Sequence, residues 1–300
     1  MGLSRQRWSN CFISLKKWVF RLVLMVLVPV LVFSFLEWGL RFLEYGFSPD
    51  FFVHIEGRNS TTTNQKFGRR FFSSAVARVP EPCVLPDEKE AGTYRIFILG
   101  GSAALGTPDA AFGFGRVLEI MLKDLYSGVR FEVINSAMTA VNSHVILPIS
   151  RDCADRGANL FVIYMGNNEV VGPYGPGTVF KGFSPSLLSI RAGIQLRSFR
   201  TGQLFEEGVQ WLMSGGDAIS EWQGMRMFLN HLVKSDDLRL EGVYHHFRQN
   251  LNDICEIAVR AGTKVIVCTI GTNLKDNPPF ASVHRDGMTE IEISRWDHYY

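Results

Sequence analysis

No C-x-x-C pair and no zinc-like spacing occurs among the five cysteines of this chain (Cys11, Cys83, Cys153, Cys255 and Cys268), so no metal and no thioredoxin-like redox site is indicated. Cys268, inside the apolar run KVIVCTI, is expected to be a buried core thiol. A disulfide among the four later cysteines is permitted outside the cytoplasm, and spacing alone selects no pairing. No internal repeat is evident, and no cofactor is implied. Acidic residues are missing from the first 21 positions, where Arg5, Arg7, Lys16, Lys17 and Arg21 stand. Because the whole chain carries only +2, the remainder is net acidic. The basic balance is therefore local, which argues against a nucleic-acid partner.

A small-x-small cleavage site is also lacking after the first apolar run, which leads instead into EWGLRFLEYG, against a cleaved signal peptide. The uncharged run LVLMVLVPVLVFSFL is short for a span. Extended over residues 18–40 it is long enough to cross a bilayer, with Arg21 and Glu37 placed to snorkel and Trp18 and Trp38 at belt positions. Pro29 is tolerated in a spanning helix. The reading is a cytoplasmic basic segment (1–17), a transmembrane anchor in the lipid bilayer (18–40), a linker and entry segment (41–92) and a folded domain (93–300). The cationic flank keeps the N-terminus inside, so the domain faces the other side.

From Tyr94 onward, short apolar runs alternate with helical stretches: YRIFIL (94–99), RFEVIN (130–135), LFVIYM (160–165) and KVIVCTI (264–270) as strands, with helices near 114–126 and 143–156. Val117, Leu118, Met121, Leu122 and Leu125 are expected on one face of the first helix, and Ser143 is expected to cap the second. Such uniformly apolar runs imply an α/β fold: a doubly wound, flavodoxin-like parallel sheet with helices on both faces, preceded by one transmembrane helix. The apolar positions between 184 and 235, among them Leu188, Leu196, Phe199, Leu204, Trp211 and Met225, are expected to be core, the other reading being an apolar cap for an acyl chain.

Ligands of doubly wound sheets sit at the C-terminal ends of strands. There the sequence places GGSAALG, NSAMTAVNS and GNNEVVGPYGPG after the first three strands. Gly100 and Gly101 permit a tight turn that lifts Ser102 to the sheet edge near a helix start. In order and spacing these segments resemble the first three sequence blocks of the SGNH/GDSL hydrolases. The resemblance covers about residues 94–275 and implies a serine ester hydrolase with Ser102 as nucleophile, in GGS where many relatives have GDS. It implies an oxyanion hole from Ser102, Ala140 and Asn168, supported by Gly101, Gly166 and Glu169. Ala140 stands where relatives usually have glycine, and Glu169 where most have aspartate. The anchor and its EWGLRFLEYG continuation resemble membrane-anchored bacterial members, which implies a single-pass inner-membrane protein with a periplasmic site. The substrate would be a small-molecule or glycan ester. Acyl transfer to a cell-envelope glycan and a non-catalytic membrane-bound scaffold are the alternatives.

The family's D-x-x-H block, which supplies the general base, has no counterpart: no Asp or Glu is followed three residues later by His. The chain is therefore expected to be C-terminally incomplete and to turn esters over poorly. His284 is the first candidate for an overlooked base. His144, His245 and His246 are expected in solvated or core roles. The loop after Asn168, with Tyr174, Phe180 and Phe183, is expected on the substrate side.

Overall fold

The computed structural model describes residues 3–180, 185–212, 222–273, 275–276, 283–285 and 287–299, and the side chains of 3–16, 19 and 299 are outside that description, as is Phe183 altogether. In chain order the elements are α1 (Leu3–Phe42), β1 (Phe52–His54), β2 (Ser60–Thr63), β3 (Val84–Pro86), β4 (Thr93–Gly100), α2 (Ser102–Leu105), α3 (Phe114–Leu125), β5 (Arg130–Asn135), α4 (Ser143–Ala154), β6 (Leu160–Tyr164), α5 (Leu187–Leu196), α6 (Arg200–Leu212), α7 (Arg239–Arg260), β7 (Lys264–Val267) and α8 (Glu290–Tyr299). They form two compact units, one of Met1–Phe47 with Gln195–Gly216, the other of Ser48–Ile194 with Asp217–Tyr300.

The first unit is built on α1, which runs unbroken through Pro29. Its stretch Phe20–Phe42 has a mean hydropathy of 2.2, is not buried, and is long and apolar enough to cross a membrane. At about 1.5 Å per residue it is about 34 Å long, against a hydrocarbon core of about 30 Å. The polar side of α6 is fastened to the end of this helix. Glu37 accepts from the N–H and hydroxyl of Thr201 (2.9 and 3.1 Å). Gln203 bonds both the N–H and the carbonyl of Phe47 (3.0 and 3.1 Å).

The second unit holds a parallel sheet in the order β5-β4-β6-β7. Each strand begins a right-handed excursion through a helix, and reversal of direction at β4 puts the crevice of a doubly wound sheet above its C-terminal end. On one face Phe97, Leu99, Phe161 and Ile163 meet Val145, Ile149 and Cys153 of α4 and Ile254 and Ala258 of α7. On the other, Ile96, Ile98 and Val162 meet α3 through Phe114, Leu118 and Leu122. Burial on both faces explains why these strands are apolar without alternation.

Several expectations need correction. Residues 48–92 are not a plain linker: β1, β2 and β3 form a small antiparallel sheet, and Phe51, Phe52, Phe67, Phe71 and Phe72 are buried in the larger core. Phe52 reaches the main sheet edge to face against Phe97 (6.2 Å between ring centres). The helix α3 buries an i, i+4 stripe rather than the wider face, leaving Val117, Met121 and Leu125 exposed. The fourth strand ends at Val267, so Cys268 lies beyond it and is only half-buried; the fully buried thiol is Cys153. Cys83, Cys153, Cys255 and Cys268 are all free. Of the apolar positions expected as core between 184 and 235, Ile194 and Phe228 are buried, whereas Leu188, Leu196, Leu204, Trp211 and Met225 are exposed.

Candidate active site

Three loops converge above β4, β5 and β6. The first needs glycine at Gly100 and is close to both other loops at Gly101. A Cβ on Gly100 would collide with the Tyr164 carbonyl of the neighbouring strand and with the Ala104 methyl. One on Gly101 would stand 3.0 Å from Asn168 Nδ2 and 3.5 Å from the Val141 carbonyl oxygen. Gly101 thus touches both other loops. Ser102 opens the one-turn helix α2 and is half-buried. Among the described residues its hydroxyl makes no hydrogen bond, and its N–H, like that of Ala140, donates to no protein acceptor.

The second loop carries Ala140 at φ 58°, in the left-handed region that favours glycine. Alanine does present its N–H there, in a backbone that is strained rather than relaxed. The third loop leaves β6 through Gly166 at φ 137°, where a Cβ would press on Ile270. Asn168 Nδ2 donates to the Val141 carbonyl at 2.9 Å. That bond engages one of its two amide hydrogens and fixes the direction of the other.

The second and third loops are stitched together. Besides the Asn168 bond, Asn142 Nδ2 donates to the Pro173 carbonyl (2.9 Å). Buried Glu169 accepts from the N–H (2.8 Å) and hydroxyl (2.7 Å) of Ser143. Ser143 therefore does not cap α4 as expected: Asn142 holds the cap position, and Ser143, the first helical residue, directs both of its donors at Glu169. Behind it Asn250 of α7, fully buried, donates to Ser143 Oγ and to His144 Nδ1, both at 3.0 Å, and accepts from Arg191 Nη2 at 2.8 Å. The donors of Arg191, Asn250 and Ser143 thus run in sequence to the Glu169 carboxylate, with the Asn250 bond to His144 as a side branch. Burial raises Glu169 to about 7, with the two Ser143 bonds opposing. Burial, then the neighbouring His246 and Arg191, lowers His144 to about 3, so it is a neutral core histidine. Asn250 and Arg191 were not singled out by sequence, and Ser143 only as a helix cap. The one signal was the glutamate of the third block, whose extra methylene reaches a serine 26 positions earlier.

None of the seven histidines, all of them among the described residues, is hydrogen-bonded to Ser102. His284 pairs with Asp297 (Nε2 to Oδ1, 2.9 Å) and lies edge to face with Trp296, and neither contact involves Ser102. The loop after Asn168 is less open than expected: Tyr174 is buried at φ 67°, and Phe180 packs on Phe72, Trp222 and Phe228. What opens beside Gly166 and Glu169 is an apolar cleft of about 410 Å³, walled by Met165, Phe247, Leu251 and Ile270.

No protein-family model and no curated protein matches the chain. Solved structures similar to it include AlinE4, described as an SGNH-hydrolase family esterase (15% identity, TM-score 0.28, 70% of this chain and 94% of that one). An acetyl xylan esterase, AlAXEase (12%, 0.29, 58% and 76%), and TesA (16%, 0.26, 57% and 76%) are also similar. Those values carry no argument about chemistry, and what the site can do follows from its own residues.

Proposed function

We propose that the chain is a serine ester hydrolase in which Ser102 Oγ attacks the ester carbonyl. The N–H groups of Ser102 and Ala140 and the free amide hydrogen of Asn168 would receive the negative charge that develops on the carbonyl oxygen. The observation that supports this reading is the approach of the third loop to the first: Asn168 Nδ2, with one hydrogen engaged by the Val141 carbonyl, lies 3.0 Å from where a Cβ on Gly101 would stand, next to Ser102, and the N–H groups of Ser102 and Ala140 have no protein acceptor among the described residues. Preorganised donors of this kind are each typically worth about 3 kcal/mol of barrier. The neighbouring apolar cleft suits an ester with a hydrocarbon acyl group. Collapse of the tetrahedral intermediate would expel the alcohol and leave an acyl-Ser102 ester, which water then hydrolyses.

No imidazole meets Ser102, so its hydroxyl remains a weak nucleophile and turnover in this chain is expected to be slow. That same observation favours a second reading, a membrane-bound module that binds esters without cleaving them. A fluorophosphonate applied to the full chain separates the two. Modification at Ser102, abolished in Ser102→Ala with the fold intact, is expected; labelling that persists in the variant removes Ser102 as nucleophile, and no labelling in the parent chain leaves the binding reading.

The apolar helix and its cationic flank support a single-pass anchor with the N-terminus in the cytoplasm and the ester site outside it. Protease added outside spheroplasts should then cleave after residue 45. Full protection of that region would reverse the orientation.

A further inference from the structure

The helix α6 belongs to the same compact unit as the apolar span and has two unlike sides. Its polar side is engaged: Gln203 with the Phe47 backbone, Glu206 with Arg197 (2.6 Å) and Glu207 with the Tyr45 hydroxyl (2.5 Å). Its other side carries Leu204, Phe205, Trp211 and Leu212, which at i, i+1, i+7 and i+8 fall on one face about Gly208. Their exposures are 39%, 67%, 77% and 76%. Four large apolar side chains grouped on a short helix mark an interaction surface.

The position of α6 along α1 identifies the partner. Glu37 caps Thr201, so α6 begins at the level of residue 37. That is five residues before the end of the apolar stretch at Phe42, or about 7 Å at 1.5 Å per residue. Interfacial helices bury their apolar face about 5–10 Å into the boundary between headgroups and acyl chains. At the same level α1 exposes Trp38 and Phe42, stacked at 5.9 Å, the residue types that gather at membrane interfaces. From this coincidence of depth, composition and covalent continuity with the span, we infer that α6 is a second membrane contact: it lies in the phospholipid interface with Phe205, Trp211 and Leu212 inserted among the upper acyl carbons. The inference rests on the reading of α1 as a span. It makes the anchor a helix plus a lateral foot, which restrains rotation and tilt of α1 in a way a lone helix cannot.

Brominated lipids test it on the full chain reconstituted in phosphatidylcholine vesicles. The emission lost on Trp211→Phe isolates Trp211, and that lost on Trp38→Phe isolates the span; both substitutions keep the site apolar and aromatic. The expected result is that both lost components are blue-shifted and quenched by acyl-brominated lipid. A Trp211 component that aqueous iodide quenches and bromolipid does not, with Trp38 still quenched by bromolipid, overturns the placement of α6 and leaves the span standing. A blue-shifted Trp211 component that bromolipid leaves unchanged means protein covers this face, and overturns the inference equally. If neither tryptophan responds to bromolipid, the span reading fails and takes the inference with it.

Discussion

The two halves of the candidate site are built to different standards. On the side that would stabilise charge, Asn168, Glu169, Asn142, Ser143 and Asn250 are tied into one another by hydrogen bonds of 2.7 to 3.0 Å. On the side that would move a proton, Ser102 Oγ is bonded to nothing among the described residues, and His284 is held by Asp297. Placing an oxyanion needs rigid donors, and a network fixed at several points supplies them. Activating a hydroxyl needs a base within reach. The buried polar groups near the proposed site therefore serve positioning, and none of them among the described residues reaches the Ser102 hydroxyl.

The sharpest way to break that comparison is Asn168→Ala. If the stitched half is what accelerates attack, the variant should react with a fluorophosphonate about 100-fold more slowly, equivalent to about 3 kcal/mol. An unchanged rate would mean the network holds loops and not charge. A smaller effect is expected from Glu169→Gln, read as thermal stability against pH. The Glu169 carboxyl titrates near 7 in the fold, raised from an ordinary value of 4.5. The folded state thus binds a proton the unfolded state has already released. Its contribution is complete below pH 4.5 and declines as pH rises toward 7, by about 1.4 kcal/mol per unit at the steepest. Glutamine mimics the protonated form, so the variant should match the parent near pH 4.5 and gain on it up to pH 7. A difference independent of pH would mean that the raised value is wrong. The smallest expected effect is Ala140→Gly. Releasing a left-handed alanine recovers about 1–2 kcal/mol, of which the freer unfolded chain takes back about 0.4–1 kcal/mol. Denaturant unfolding should show a net gain of between about 0 and 1.6 kcal/mol, and a loss would show that the methyl packs usefully.

The central strands were legible because β4 and β6 are buried on both faces, and runs such as YRIFIL and LFVIYM leave little else to form. The loops that follow them were legible through Gly100, where a Cβ would meet the Tyr164 carbonyl, and Gly166, whose φ of 137° favours glycine. What escaped is non-local. Ser143 and Asn250 lie 107 positions apart, and nothing in either neighbourhood announces their bond. The strand Ser60–Thr63 is four polar residues, and its alternating burial follows from partners at 52–54 and 84–86 rather than from its own composition. The expectation of core for Leu204 and Trp211 failed for the opposite reason: periodicity reports that a face is apolar, and does not say which apolar medium it meets.

The aromatic group ahead of the main sheet has a practical consequence for anyone trimming the protein to a soluble catalytic piece. A cut at the start of β4 would discard Phe51, Phe52, Phe67, Phe71 and Phe72, each less than 5% exposed. At roughly 2–3 kcal/mol per buried phenyl ring, their removal exceeds the 5–15 kcal/mol that holds an ordinary domain together at all but the upper end of that range. The boundary that keeps the N-terminal part of the sheet-bearing unit whole lies before Ser48, immediately after Phe47.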